Sequence, residues 1–320
     1  MRWMIAAVLA VAQPALAQEG PVVAIAWEND LFVGRDRNYT NGVRLAYAAP
    51  RGLTHGWMTG ARDALLPGAT EVTSAYALGQ KMFTASDIAD PDPPLDDRPY
   101  AGWAYAEAAL TGTRGDRMQA WRAGIGIVGP ASLAEEAQRL VHDLSGVIEP
   151  QGWDTQLPTE PTLHLGYETR WQRTVWRREG GALEADVVPV LGAVLGNAYT
   201  YAEAGAKVRF GRRLPRDWGG YRAGPVASGD TLAGPAEGFG WHVFAGVDGR
   251  AFARDLFLDG STFRDSRSVD KTPFVGDLTL GAALTWDRLR VGYTHVLRTE
   301  TFETEQVPGD FGALSVAVRF

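Results

Sequence analysis

Residues 199–210 read Tyr-Thr-Tyr-Ala-Glu-Ala-Gly-Ala-Lys-Val-Arg-Phe, and their side chains sort by parity. Ala202, Ala204, Ala206, Val208 and Phe210 share one face, while Tyr201, Glu203, Gly205, Lys207 and Arg209 share the other. A period of two is the signature of a strand with two unlike surroundings. Residues 274–286 repeat it, with Phe274, Gly276, Leu278, Leu280, Ala282, Leu284 and Trp286 set against Val275, Asp277, Thr279, Gly281, Ala283 and Thr285. Read this way, the chain offers twelve strands, at about 22–32, 41–49, 73–83, 100–113, 117–128, 161–177, 181–196, 199–211, 239–253, 273–286, 288–298 and 309–320.

Alternation fits either a soluble sandwich, with its polar face in water, or a membrane barrel, with its apolar face in lipid. Three features favour the barrel. Many of the segments reach the length needed to cross a bilayer on a tilt. Trp27, Tyr47, Trp103, Trp171, Trp286 and Tyr293 stand near strand ends, where aromatic girdles lie. The chain closes on Leu314-Ser-Val316-Ala-Val318-Arg-Phe320, an alternating last strand with a terminal aromatic, which resembles the ending of bacterial outer-membrane barrels and implies recognition by the barrel-assembly machinery. The fold class expected is therefore all-β: a transmembrane antiparallel barrel of about twelve strands in the bacterial outer membrane.

The amino terminus agrees with export. Residues 1–17 carry Arg2, an apolar run and Ala15-Leu16-Ala17, the pattern of a signal peptide cleaved before Gln18, which leaves 18–320 as one domain. No later run of 18 apolar residues could form a membrane-spanning helix. There is no cysteine, so thiolate chemistry is excluded and the scaffold stands without disulfides. The net charge of −7, with Lys and Arg scattered, argues against a nucleic-acid partner. With the amino terminus in the periplasm, 33–40, 84–99, 129–160, 197–198, 254–272 and 299–308 fall outside the cell. Segments 50–72, 114–116, 178–180, 212–238 and residue 287 fall on the periplasmic side, and 212–238 is long for a periplasmic turn.

Within 129–160 lies the one convincing helix. Ser132-Leu-Ala-Glu135 spells a capping box and Gly146 a stop. Leu133, Ala137, Leu140, Val141 and Leu144 recur at helical spacing, which predicts an apolar face packed on something apolar. Gln138 and His142, four apart, stack on one flank. A histidine there could be a packing residue or a base; Asp143, Glu149 and Asp154 nearby could fix its tautomer. A second polar cluster sits between the first two strands: Glu28-Asn29-Asp30 and Tyr39-Thr40-Asn41-Gly42. Asn29, Asp30, Thr40 and Asn41 are the oxygen donors that a hard cation such as calcium prefers, and they equally suit a solvated hairpin. Alternation points Val23, Ile25 and Trp27 to lipid and Glu28 and Asp30 to the other face, so Asn29 joins them only if the strand twists or ends there. No G-x-S-x-G elbow and no H-E-x-x-H occurs. An enzyme built from these residues would use water activated by a histidine.

Taken together, Trp27-Glu28-Asn29-Asp30-Leu-Phe, Asp36-Arg-Asn-Tyr39-Thr40-Asn41-Gly42, Asp97-Arg98-Pro99-Tyr100-Ala101-Gly102-Trp103, His142, Gly152-Trp153-Asp154-Thr-Gln156 and Glu160-Pro161 resemble the lipid A deacylase LpxR family. The resemblance is strong to about residue 170 and more diffuse to Phe320. It implies a twelve-stranded outer-membrane barrel that hydrolyses the 3′-linked acyloxyacyl ester of lipid A with calcium, at a site between the wall and an extracellular helix. It also implies roles for Asn29, Asp30, Gln138 and His142, for Thr40, and for Glu149 as the acidic partner, with Asp154 second. Asp30, Asn29 and Thr40 are then the metal ligands, and Lys81 and Arg98 the candidate cations for the lipid A headgroup. Two other readings remain: a phospholipase or other lipid esterase on the same barrel, and a passive porin-like barrel.

Overall fold

A computed structural model describes residues 20–33, 38–145, 149–179, 182–232, 238–307 and 309–320. The expected leader at 1–17, the Asp36-Arg37 pair and Gly146 lie outside the described residues. The strands are β1 (Val22–Asn29), β2 (Asn38–Ala48), β3 (Glu71–Thr84), β4 (Ala101–Arg114), β5 (Arg117–Val128), β6 (Glu160–Trp171), β7 (Arg173–Arg177), β8 (Leu183–Gly196), β9 (Tyr199–Arg212), β10 (Phe239–Asp255), β11 (Phe274–Trp286), β12 (Leu289–Arg298) and β13 (Asp310–Arg319). All pairings are antiparallel, and β1 closes on β13. Both β6 and β7 pair with β8, on either side of Gln172, so they are two halves of one strand. Twelve strands therefore cross the membrane in a closed barrel, and 161–177 is one crossing, as the alternation indicates.

The wall is inverted relative to a soluble protein. Leu45, Leu78, Ile125, Leu163, Leu195, Val243, Leu280 and Leu284 are exposed, while Arg44, Glu107, Glu168, Arg209, Arg250 and Asp277 are buried inside. Such an arrangement is stable only with lipid outside and paired charges within. The interior charges are paired: Arg209 reaches Asp186 at 2.8 and 2.6 Å and Asp217 at 2.5 Å, and Asp277 takes Arg250 at 2.6 Å and Arg298 at 2.8 and 2.9 Å. Of the girdle aromatics, Trp27, Tyr47, Trp286 and Tyr293 are exposed on the outside. Trp103 is not one of them: it is fully buried in the barrel, stacked on Tyr105 and donating to Thr162 Oγ1 at 2.9 Å. Its parity puts it inside with Tyr105, so nearness to a strand end is no guide to its face.

Both termini lie at one end, where Phe320 N donates to Pro21 O. Short turns such as 115–116 and 287–288 share that end, and long connections crowd the other, which makes the termini end periplasmic. Two long segments break the rule. Residues 49–70, with helix α1 (Thr59–Leu65), lie on the outside of the wall, where Met58 and Leu66 pack on Val72 and Leu110. They leave Leu53, Trp57 and Leu65 exposed at interfacial depth. The other, 213–232, turns inward and fills the lumen: Tyr221, Ala223, Val226 and Ala227 join the main buried cluster with Trp103, Tyr199 and Phe257. That is where the surplus length of 212–238 goes.

Candidate active site at the outer rim

At its outer end β1 carries Glu28 on the lumen face, where Tyr39, Tyr221 and Lys81 all donate to its carboxylate. Asn29 has the parity of the exposed Ile25 and Trp27, so it belongs to the outer face, and it is nevertheless buried. The strand stops there, and buried Asp30 begins a 3-10 turn (Asp30–Val33). Glu28 and Asp30 are thus separated by the end of the strand, and Asn29, not Glu28, lies on the side of the wall that the helix covers.

The neighbouring strand has a matching irregularity. A bulge in β2 between Tyr39 and Asn41 breaks the alternation against β3. Tyr39 stays in the lumen with Glu28, while Thr40 bonds Thr84 Oγ1 at 2.8 Å. Across the outer face the register sets Asn29 beside Asn41, Asn41 beside Met82 and Met82 beside Gly102. Asn41 Oδ1 is buried and has no hydrogen-bond partner among the described residues.

Helix α2 (Ala134–Ser145) lies over this rung. Ala134 packs with Met82, Tyr100 and Trp153, and a Cβ at Gly102 would collide with Ala134 and Ser132. Only a glycine there lets the helix touch the strand. The helix turns most of its hydrophobic face away from the wall: Ala137 packs against the Met82 and Trp153 cluster, but Leu133, Leu140 and Val141 are 59%, 61% and 43% exposed, whereas Gln138 and His142 are 3% and 4% exposed. Beyond the rim the apolar phase is outside, so the polar flank faces the wall. Nor does the capping box form. Ser132 belongs to a 3-10 turn, Leu133 takes a left-handed φ of 58°, and Ser132 Oγ is buried against Gly102.

Trp153 holds the helix from the following segment, donating from Nε1 to Gln138 Oε1 at 2.8 Å, and Tyr100 meets Trp153 edge to face at 5.3 Å. Gln138 Nε2 is buried without a partner among the described residues, which leaves a donor unused beside the wall. Gln138 and His142 are thus brought together with the wall. Glu149 and Asp154 are both exposed and are not buried with His142. Lys81 and Arg98 are inside the barrel: Lys81 donates to Gly224 O at 2.6 Å and sits 5.0 Å over the Tyr39 ring, and Arg98 lies 4.8 Å over the Phe83 ring. Sequence reasoning did not single out Thr84 or Tyr221, and no short motif marks either.

Fold and rim together define the class: a closed, polar-lumened barrel of the outer membrane. The chain belongs to the family described as outer membrane protein LpxR, whose model matches residues 3–320. Its structure is similar to that of LpxR from Salmonella typhimurium, with a TM-score of 0.77 at 19% identity, over 93% of this chain and 100% of that one. The β domain of the Bordetella autotransporter BrkA matches over 95% of this chain and 100% of that one at 10% identity, with a TM-score of 0.48. No curated protein sequence matches the chain.

Proposed function

We propose that this protein is a calcium-dependent lipid A 3′-O-deacylase. The observation that carries the reading is the burial of Gln138 and His142 on one flank of α2, a helix that meets the wall at Met82 and Gly102, on the rung that continues through Asn41 to Asn29. Eight residues of helix advance about 12 Å, and three strand spacings cover about 14 Å. A helix that starts over Gly102 and runs along the rung would bring His142 to Asn41 and Asn29. The space so framed opens to the outer leaflet, and the exposed Leu133, Leu140 and Val141 offer its acyl chains an apolar approach.

His142 takes a proton from water as the water oxygen attacks the ester carbonyl carbon, and returns it to the sugar oxygen as the ester bond breaks. Gln138, fixed through Oε1 by Trp153, turns its free Nε2 donor to the ester or the water. Glu149 is the carboxylate assigned to orient the imidazole, with Asp154 second. The donor set fits a hard cation: Asn29, Asp30, Thr40 and Asn41 all offer oxygen, and Asn41 Oδ1 has no hydrogen-bond partner among the described residues. Asp30, Asn29 and Thr40 would hold calcium, with Asn41 beside them, and the ion supplies positive charge to the developing oxyanion. Of the two headgroup cations, Lys81 is committed to Glu28 and Gly224; Arg98, whose Nε has no hydrogen-bond partner among the described residues, is retained for a phosphate.

The test is mass spectrometry of lipid A from cells making the wild type or His142→Ala. The wild type should remove one acyloxyacyl group and the variant should not. Unaltered lipid A with a folded wild type would sink the reading, and released phospholipid acyl chains would favour a phospholipase instead. A porin-like role sits badly with a lumen filled by 213–232.

A further inference from the structure

We propose that Tyr221, carried by the lumen-filling segment, is a positioning residue for the outer rim. It acts through Glu28; the catalytic part of the proposal rests on the deacylase reading above. Glu28 is buried, and its two carboxylate oxygens are shared among three donors: Oε1 accepts from Tyr221 OH, and Oε2 from Tyr39 OH and from Lys81 Nζ at 3.4 Å. The segment contributes a second hold, since Lys81 Nζ also donates to Gly224 O at 2.6 Å. Each strand residue in this knot has a rim residue as its neighbour in the chain. Glu28 precedes Asn29 where β1 ends, and Tyr39 precedes Thr40 at the β2 bulge. Alternation places Glu28 and Asn29 on opposite faces, and the bulged Thr40 follows Tyr39 one peptide bond on, so fixing the lumen residue fixes the backbone that aims its rim neighbour. A Cβ at Gly42 would collide with Tyr39 OH, so this backbone is fitted closely around the knot.

The segment is itself held rigidly enough to act as a reference. Arg222 bonds Glu203 at 2.7 Å and Asp248 at 2.8 Å, Arg170 reaches Gly220 O at 2.8 Å and Ser228 Oγ at 2.7 Å, and Arg44 meets Asp230 at 3.0 Å. These anchors belong to strands on several sides of the barrel. Tyr221 carries their stiffness to the one carboxylate beneath the rim. A hydroxyl that merely filled space could be lost without consequence at Asn29; a positioning hydroxyl could not.

The experiment compares full-length wild type, Tyr221→Phe and Ser228→Ala, refolded in detergent and shown to be closed barrels by heat-modifiable gel mobility. Ser228→Ala removes another hydroxyl of the same segment, one that does not touch Glu28, and leaves the Arg222, Arg170–Gly220 and Arg44–Asp230 anchors in place. Amide hydrogen exchange over 26–33 and 38–42 is read without calcium or substrate. It should quicken at least tenfold in Tyr221→Phe and stay at the wild-type rate in Ser228→Ala. With lipopolysaccharide as substrate, Tyr221→Phe should lower kcat on the order of tenfold at unchanged KM, because small misplacements of reacting groups cost rate more than binding. Unchanged exchange at the rim in Tyr221→Phe overturns the proposal, as does equal quickening in both variants. A wild type that deacylates nothing overturns the deacylase reading instead, and the exchange result still decides the positioning.

Discussion

Residues twenty-eight and twenty-nine show how much one peptide bond separates in a barrel wall. Glu28 and Asn29 are adjacent in sequence and sit on opposite sides of the sheet, one in a charged lumen and the other buried on the outward-facing side. Their identities were legible in the sequence, and so was the doubt about Asn29, because alternation alone sends it to lipid. Asn29 is nevertheless buried at the outward-facing end of β1, a cover that alternation within one strand does not report. His142→Ala should lower deacylation by 10²–10⁴, roughly the worth of a general base, with folding unchanged, as measured by product release and gel mobility. Asn41→Ala removes an oxygen with no hydrogen-bond partner among the described residues. Its folded stability should match wild type while the calcium concentration for half-maximal terbium displacement rises several-fold; an unchanged displacement curve would take Asn41 out of the metal set.

Helix α2 is the element whose existence the sequence disclosed and whose orientation it concealed. Hydrophobic spacing identifies an apolar face, but the rule that such a face points to a core assumes water outside. Here Leu140 and Val141 are exposed and His142 is buried, because lipid replaces water at the rim. Leu140→Asp should therefore raise KM for lipopolysaccharide by roughly tenfold, the scale of moving a charge part-way into an apolar phase, with little change in kcat. Steady-state kinetics in mixed micelles would check this. Gly102→Val should be more severe. Its side chain meets Ala134 and Ser132, so α2 must lift from β4. Activity should be lost while the barrel still closes, seen as normal gel mobility with faster proteolysis between 130 and 157.

The whole molecule is a filled barrel, and the filling was the part least open to sequence reasoning. Twelve strands follow from alternation because each strand reports both of its environments. Residues 213–232 report neither, since their partners are charges scattered over distant strands. The length of that connection was a sign of something unusual, without saying that it turns inward. Arg209→Ala would leave Asp186 and Asp217 buried without their shared cation and should cost about 3–5 kcal/mol. Thermal unfolding followed by gel mobility would measure that loss. In a planar bilayer the wild type should show no steady conductance, whereas deletion of 216–229 should open a pore.

The meeting of β1 with β13 has a consequence for biogenesis. Asn29 is flanked by Asn41 on one side and by Gly312 on the other, so its strand is held by the second strand of the chain and by the last. A nascent polypeptide that has not yet joined its two ends has not finished the rim proposed as the active site. Hydrolytic competence is in this sense a certificate of complete membrane insertion, issued only where the intended lipid is already within reach.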